Sequence, residues 1–158
     1  MAKIYSIKRT QKIPISLNMA WNFFCKPDNL KQITPSNINF TIISPPESSL
    51  IYAGQIIEYK ITTMFGFSIQ WVIEITEVVE KQYFIDEQIF GPFSYCQHQH
   101  YFVEIPYGIR MTDVLHYKFR FGLLGDIIHV FFLRRRLNKI FDYRFNKLIA
   151  LFGEYEHH

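Results

Sequence analysis

Apolar and polar residues alternate over several stretches of the chain, and this period of two is typical of half-buried β-strands. The alternation predicts a first strand at residues 2–13 and a short strand around Phe40. Five more strands are predicted at residues 55–64, 67–79, 82–90, 94–105 and 109–121. Turn residues such as Phe65-Gly66 and Gly91-Pro92 separate them, and strands joined by short turns favour an antiparallel sheet.

Helical spacing of apolar residues occurs in two regions. Ser16 is a candidate N-cap for one short helix, and Pro27 begins a second. An apolar stripe predicts one long helix at about residues 123–152. This order indicates an α+β domain over residues 1–153, in which a curved antiparallel sheet wraps around the long C-terminal helix and leaves a cavity. Residues 154–158 form a tail that resembles the remains of an expression tag.

Composition narrows the functional classes. The 158-residue chain is 49% hydrophobic and 18% aromatic, which suffices for one core without disulfides. Its net charge of +3 is too small to favour nucleic-acid binding. There is no run of about 18 apolar residues that would span a membrane and no recognisable signal peptide. Cys25 and Cys96 are not spaced as a disulfide or metal motif, so we expect a cytoplasmic protein.

Polar residues recur at every second position along two neighbouring predicted strands. One face of the first strand carries Phe84, Asp86 and Gln88, and one face of the second carries Cys96, His98, His100 and Phe102. Asp113 and Tyr117 share a face of the strand that follows. If these faces point inward, each polar side chain is costly to bury unless it pairs or meets a ligand. The row therefore predicts a functional site.

Three interpretations of this row remain open. His98 and His100 have the spacing by which one strand presents two imidazoles to a metal ion, with Asp86 as a third ligand. Alternatively, the row recognises the polar part of a ligand, or it is a structural network that satisfies itself. The residue pattern favours the last two interpretations over a metal site, so we expect no metal ion and no other cofactor.

Catalysis is a further alternative. A buried Asp–His pair is suited to general acid–base steps such as enolisation, with a histidine as the base and Tyr117 or Asp113 as the acid. No nucleophile with an evident base and no phosphate-binding loop accompanies them. Cys96 is either a reactive thiol or an inert filler of small space.

Two groups of arginines on the long helix have different expected roles. Arg144 is expected to reach inward and pair with Asp86 or Asp113. The three arginines at residues 134–136 follow Phe131-Phe132. They form either a solvated helix face or a surface that docks an acidic partner or a membrane.

A set of residues spread over most of the chain matches a known pattern: Thr34-Pro35, Gly54, Tyr59, Trp71, Phe84, Asp86, Gln88, Gly91-Pro92-Phe93, His98, His100, Phe102, Asp113, Tyr117, Gly122, Gly125, Phe141, Tyr143 and Arg144. In these residues the chain resembles the START-like, or SRPBCC, superfamily. Its helix-grip fold is shared by the major birch-pollen allergen, lipid-transfer START domains and polyketide cyclases. More narrowly, the chain resembles a bacterial branch of ligand-binding SRPBCC proteins.

The resemblance implies the helix-grip fold more firmly than any activity, because the superfamily contains carriers, cyclases, hormone receptors and chaperone activators. Members of the branch occur fused to or beside a nucleotide-sugar-epimerase-like protein, which implies such a protein as a partner. The branch commonly has Trp two residues before the first histidine of its HxH pair. This chain has Cys96 there, and the smaller side chain predicts a roomier or differently shaped pocket.

The leading prediction is noncatalytic binding of a small hydrophobic or amphipathic molecule with a polar end. Its apolar lining would come from aromatic residues, namely Tyr59, Phe67, Trp71, Phe84, Phe93 and Phe102. The polar end would be bound by Gln88, His98 and His100, while Asp86 orients an imidazole. One alternative is a cyclase, dehydratase or isomerase that acts on an enolisable substrate. The other is a protein-interaction module that docks through residues 134–139.

Overall fold

A seven-stranded antiparallel sheet dominates the computed structural model, which describes residues 3–43, 50–62, 66–120 and 122–156. The strands are β1 Tyr5–Ile13, β2 Asn39–Ile42, β3 Ile56–Thr62, β4 Ser68–Val79, β5 Tyr83–Phe90, β6 Tyr95–Ile105 and β7 Gly108–Lys118. Some predicted features lie outside the described residues, namely the strand ends at Ala2, Met64 and Phe121, the turn residue Phe65, and His157 and His158 of the tail.

The strands follow the order β1-β7-β6-β5-β4-β3-β2 across the sheet. From β2 to β7, each strand therefore lies beside the next one in sequence. The first strand is the exception, because β1 pairs with β7, from Tyr5 opposite Tyr117 to Ile13 opposite Ile109. The two ends of the strand series thus meet, and β1 and β2 form the edges of the sheet.

The helical elements are α1 Leu17–Phe24, α2 Pro27–Leu30, α3 Gly122–Ile128 and α4 Arg134–Phe152, with a 3-10 turn at Lys31–Ile33 and a π-helical stretch at His129–Leu133. Among the residues that the structure describes, no helix has both the length and the apolar character needed to cross a membrane.

The short helix α1 covers one end of the inner face of the sheet. It begins at Ser16, whose side-chain oxygen accepts a hydrogen bond from the Met19 N–H at 3.2 Å. This cap satisfies one of the N–H groups that the first helical turn leaves without a partner. Trp21 of α1 then packs edge-on against Phe84 and Phe102 of the sheet.

The C-terminal region differs from the single helix that the sequence predicts, because a π-helical stretch separates α3 from α4. A π-helical turn contains more residues than an α-helical turn, so it changes the direction in which later side chains point. Phe141 and Leu148 of α4 are buried. The exposed apolar group lies before them and consists of Leu123, Leu124, Ile127, Phe131 and Phe132. The apolar positions therefore do not form one continuous stripe.

The core lies on the inner face of the sheet, and polar residues interrupt it. On β6, Phe102 belongs to one buried apolar cluster and Cys96 to another. The residues between them on the same face are His98 and His100. On β7, Asp113 lies between buried apolar residues in the same way. The fold thus places a short polar section between two apolar ones.

Candidate functional site

The polar section is built by three neighbouring strands. It consists of Asp86 on β5, His98 and His100 on β6, and Asp113 on β7, which we call the polar quartet. In the strand register, His98 lies opposite Asp86, and His100 lies opposite Asp113. Alternation along each strand then directs all of these side chains to the inner face, as the sequence predicts.

His100 is the centre of the polar quartet. Its Nε2 lies 3.0 Å from Oδ2 of Asp86, and its Nδ1 lies 2.9 Å from Oδ1 of Asp113. The same Asp113 oxygen lies 3.2 Å from Nε2 of His98. The two imidazole rings are close to each other, with 3.8 Å between their centroids. Hydrogen bonds therefore connect the polar quartet from Asp86 through His100 and Asp113 to His98.

The two histidines of the polar quartet differ in charge. Burial lowers the pKa of His100, but its hydrogen bonds to Asp113 and Asp86 outweigh burial, and the net shift of the pKa is upward. Both ring nitrogens face carboxylate oxygens, so a doubly protonated ring satisfies both contacts. For His98, burial and the charge of His100 lower the pKa, although Asp113 opposes them. The arrangement favours imidazolium at His100 and neutral imidazole at His98.

Asp113 is held in its ionised form. Burial alone would raise its pKa, but the hydrogen bonds from His100 and His98 lower the pKa of this carboxyl well below its usual range. An ionised carboxylate is an acceptor only. In this state Asp113 cannot be the general acid that the catalytic alternative assigns to it.

A cavity of about 240 Å³ lies between the inner face of the sheet and helices α1, α2 and α4. Its walls are mostly apolar. Of the predicted site residues, those that line it are Tyr59, Trp71, Phe84, Asp86, Cys96, His98, His100 and Arg144. The structure thus brings three members of the polar quartet to the wall of an apolar cavity, with Asp113 behind them.

Comparison with known proteins identifies the architecture. No family model matches the chain, and no curated protein matches it. Similar solved structures include CV1439 from Chromobacterium violaceum, with 9% identity, a TM-score of 0.71, and coverage of 95% of this chain and 98% of that one. Ara h 8.0201, a Bet v 1 homologue, has 10% identity, a TM-score of 0.65, and coverage of 94% and 99%. The chain has a Bet v 1-like, or SRPBCC, fold.

A third similar structure is the nucleoside-diphosphate sugar epimerase from Corynebacterium glutamicum, with 18% identity and a TM-score of 0.63. The match covers 91% of this chain but 28% of that chain, so the likeness concerns one part of the larger protein. The Bet v 1-like fold confirms the predicted helix-grip architecture, with its curved sheet, long C-terminal helix and short helices after strand one.

Gln88 is not among the residues that line the cavity of this Bet v 1-like fold. Its side-chain nitrogen donates to the Phe93 carbonyl at 2.8 Å, and its side-chain oxygen accepts from the Phe93 N–H at 3.4 Å. Both ends of the amide are therefore used to hold the connection between β5 and β6. The residue has the predicted strand position, but its amide is bound to the backbone and not directed to a ligand.

Two further predicted residues pack in the core. Phe102 contacts Trp21 and Phe84. Tyr117 is stacked on Tyr5, at 5.8 Å between ring centroids, and burial raises the pKa of its phenol to about 12. Neither residue is among those that line the cavity. The same holds for two of the aromatic residues predicted to line it, because Phe93 is buried in the core and Phe67 is 73% exposed on the surface. The position of Tyr117 does not favour its predicted role as an acid.

Arg144 lines the cavity without the predicted carboxylate partner. Within the described parts of the chain it forms no ion pair with Asp86 or Asp113, because the imidazoles take both carboxylates. Its guanidinium carbon lies 5.5 Å from the centre of the Phe141 ring, and its Nε is buried without a hydrogen-bond partner among these residues. Arg144 therefore presents an unused donor at the cavity wall.

The period-two alternation of the strands does not predict the cavity residues that lie on helices, including Phe24, Leu30, Ile33, Leu137 and Phe141. Helical spacing predicts that they are on apolar faces, but not which of them meet the core and which meet the cavity. In this Bet v 1-like fold, α2 and α4 face the same inner surface of the sheet. The sequence feature that points to these helical cavity residues is the cluster of apolar residues directly after strand one.

Cys96 behaves as a filler and not as a nucleophile. Burial, together with the nearby charge of Asp86, raises the pKa of its thiol to about 12. The thiol therefore remains protonated at neutral pH, whereas the thiolate is the nucleophilic form.

Proposed function

We propose that the protein binds a small, mainly apolar molecule in its cavity and pairs a hydrogen-bond acceptor of that molecule with buried donors in the wall. The observation that carries the proposal is that two residues of a mostly apolar cavity, Trp71 and Arg144, have buried nitrogens without partners among the described residues. Natural proteins seldom leave such donors unsatisfied.

The size and lining of the cavity support a small apolar ligand. Pockets for organic molecules usually have volumes of about 300–1,000 Å³ and are lined mainly by apolar and aromatic side chains. At about 240 Å³, this cavity lies just below that range. Phe24, Phe40 and Trp71 supply aromatic surface. A compact ligand fits these walls better than a long lipid chain.

The unused donors support an acceptor group on the ligand. A buried N–H without a partner costs about 1–3 kcal/mol, and an acceptor such as a carbonyl or carboxylate oxygen removes that cost. Arg144 lies one helical turn after Phe141, whose ring is 6.0 Å from that of His98 between centroids. The ligand acceptor is therefore expected beside the polar quartet.

Native mass spectrometry of protein purified gently from its own host tests the proposal, with extraction of the denatured protein to identify what is released. We expect a reproducible organic compound that is mainly apolar and carries a carbonyl or carboxylate. A protein that carries no compound and also fails to bind 8-anilinonaphthalene-1-sulfonate, an anionic aromatic fluorophore, would contradict the proposal.

A matched pair of variants on α4 sharpens this test. Arg144→Gln removes the unused donor in the cavity wall, while Arg135→Gln removes an exposed arginine of the same helix. We expect the first variant to lose the compound and the second to retain it. Equal retention in both variants would mean that Arg144 does not bind the ligand.

A second candidate function is proton transfer, which one observation favours. His98 is neutral and shares a hydrogen bond with ionised Asp113, and this is the arrangement of a general base and its orienting carboxylate. Deuterium exchange into small enolisable ketones tests it. A catalysed exchange that His98→Gln abolishes would support the enzyme, and exchange at the uncatalysed rate would leave binding as the function.

A further inference from the structure

We propose that Asp86, His98 and His100 bind a divalent transition-metal ion, with Asp113 as the carboxylate that orients both imidazoles. This inference goes beyond ligand binding and does not depend on it. The sequence alone favoured a site without metal, because the spacing of two histidines on a strand is common. The strand register adds the position of the carboxylates, and that position changes the interpretation.

The first argument is the spacing of the donor atoms. Asp86, His98 and His100 each offer one ligand atom, and these atoms all lie within 4.8 Å of one another. For one pair, Nε2 of His100 and Oδ2 of Asp86, the distance is 3.0 Å. Ligand atoms at about 2.0–2.2 Å from a zinc ion in tetrahedral geometry lie roughly 3.3–3.6 Å apart. Small side-chain rotations therefore suffice to bring the three atoms around one ion.

The second argument is the position of Asp113. A histidine that binds a metal almost always donates its other ring N–H to a carboxylate, a carbonyl or water, which fixes the ring. Oδ1 of Asp113 lies 3.2 Å from Nε2 of His98 and 2.9 Å from Nδ1 of His100, so one carboxylate oxygen can accept a hydrogen bond from each ring. The ring nitrogens that Asp113 does not contact are Nδ1 of His98 and Nε2 of His100. Nε2 of His100 lies 3.0 Å from Oδ2 of Asp86, so a metal ion between these two atoms would replace their hydrogen bond.

The third argument is the balance of charge. Asp86 and Asp113 place two carboxylates within hydrogen-bond distance of one ring, that of His100, and burying two carboxylates together is costly unless a cation balances them. Within the described residues, neither Asp86 nor Asp113 pairs with an arginine or a lysine. A divalent ion with both imidazoles neutral balances both carboxylates.

The fourth argument is access. Asp86, His98 and His100 line the cavity, whereas Asp113 lies behind them. An ion held by these three side chains keeps at least one coordination position open toward the cavity, as metal ions in reactive or ligand-binding sites do. Two imidazoles and one carboxylate are the donor set of catalytic zinc and of non-haem Fe(II) sites. A carbonyl or carboxylate of a cavity ligand can occupy the open position.

Titration of chelator-treated protein with Co²⁺ and Zn²⁺ tests the inference. The background carries alanine at His157 and His158, so that the tail cannot bind the ion. We expect one Co²⁺ per chain, with the strong visible absorption of a four- or five-coordinate ion, and displacement by Zn²⁺. A wild-type spectrum that stays that of aqueous Co²⁺ would overturn the proposal.

Three variants locate the site, and one serves as a control. His98→Gln and Asp86→Asn should abolish the absorption, and Asp113→Asn should weaken binding by about 10–100-fold while the band shifts. His116→Ala should bind like the background, because His116 lies on the opposite face of β7. Near-UV circular dichroism shows which variants are folded. If His98→Gln does not fold, the near-isosteric Asp86→Asn variant decides the outcome. Unchanged binding in a folded Asp86→Asn protein would refute the site.

Discussion

The polar quartet and the exposed apolar group depart from the usual distribution of residues in opposite directions. The polar quartet places four ionisable side chains in the core. The exposed apolar group places large apolar side chains on the surface, with Leu123 at 84% and Phe132 at 74% exposure. The buried polar groups are compensated within the sheet by hydrogen bonds, whereas water meets the apolar group directly. The prediction of an internal site rests on the polar quartet, and exposed apolar groups of the second kind are typical of surfaces that contact other molecules.

The two regions also differ in how the chain positions them. Cross-strand pairing on both sides of β6 fixes His98 and His100. Before α4, a hydrogen bond from the Tyr5 hydroxyl to Oδ1 of Asp126, at 2.6 Å, ties α3 to the sheet. The predicted docking surface at residues 134–139 continues this region, and its arginines are exposed. Whether it binds a protein remains a prediction.

The largest effect is expected from breaking the polar quartet at its centre. His100→Ala leaves Asp86 and Asp113 as buried carboxylates without their shared cation, and breaking a buried ion pair in this way costs about 3–5 kcal/mol. Urea unfolding measures the change in the free energy of unfolding. His116→Ala, on the outer face of β7, is the control. A loss below about 1 kcal/mol for His100→Ala would show that the contacts are not energetically coupled.

The pH dependence of stability is the next largest effect. The depressed pKa of Asp113 means that its contribution to stability is fully present above about pH 4, the ordinary range of an aspartate, and is lost as the pH falls below it. We expect Asp113→Asn to remove this part of the acid transition. Unfolding free energies of the metal-free protein between about pH 2 and pH 6 measure it. Parallel pH curves for the two proteins would contradict the prediction.

Gln88 separates structural polarity from functional polarity. Gln88→Leu removes both hydrogen bonds to Phe93. The Phe93 carbonyl keeps the hydrogen bond that Nε of Arg120 donates at 3.3 Å, but the Phe93 N–H loses its Gln88 acceptor, so we expect a loss of about 1–2 kcal/mol in the free energy of unfolding. Binding in the cavity should not change, because Gln88 does not line it. Thermal unfolding and the fluorophore assay measure the two effects separately. A variant of normal stability that no longer binds the fluorophore would show that Gln88 takes part in ligand binding.

The smallest effect on stability is expected in the exposed apolar group. Phe131→Ser with Phe132→Ser removes side chains that are already in contact with water, so the free energy of unfolding should change by less than about 0.5 kcal/mol for each. A loss comparable to that of His100→Ala would mean that these rings pack in the protein. Sedimentation velocity on the same variant shows whether self-association depends on the group.

The alternation of polar and apolar residues identified the inner faces of β5, β6 and β7, because successive residues of a strand point to opposite sides of the sheet. It did not identify which groups pair, since that depends on the register of three strands. For this reason Arg144 was expected to take a carboxylate that His100 takes instead. The π-helical break was missed as well, because apolar spacing on a helix does not show where the backbone adds residues to a turn.

The pairing of β1 with β7 has a consequence for how the molecule is made. Thr10 and Thr112 face each other across this pair although 102 positions separate them along the chain. Closing so large a loop costs entropy before any contact compensates for it, and topologies with distant contacts fold slowly. During synthesis, β1 emerges long before its partner β7, and until β7 is made the backbone groups of β1 that pair with it have no hydrogen-bond partners. Of the strands that the structure describes, β1 is therefore the one that depends longest on protection from aggregation.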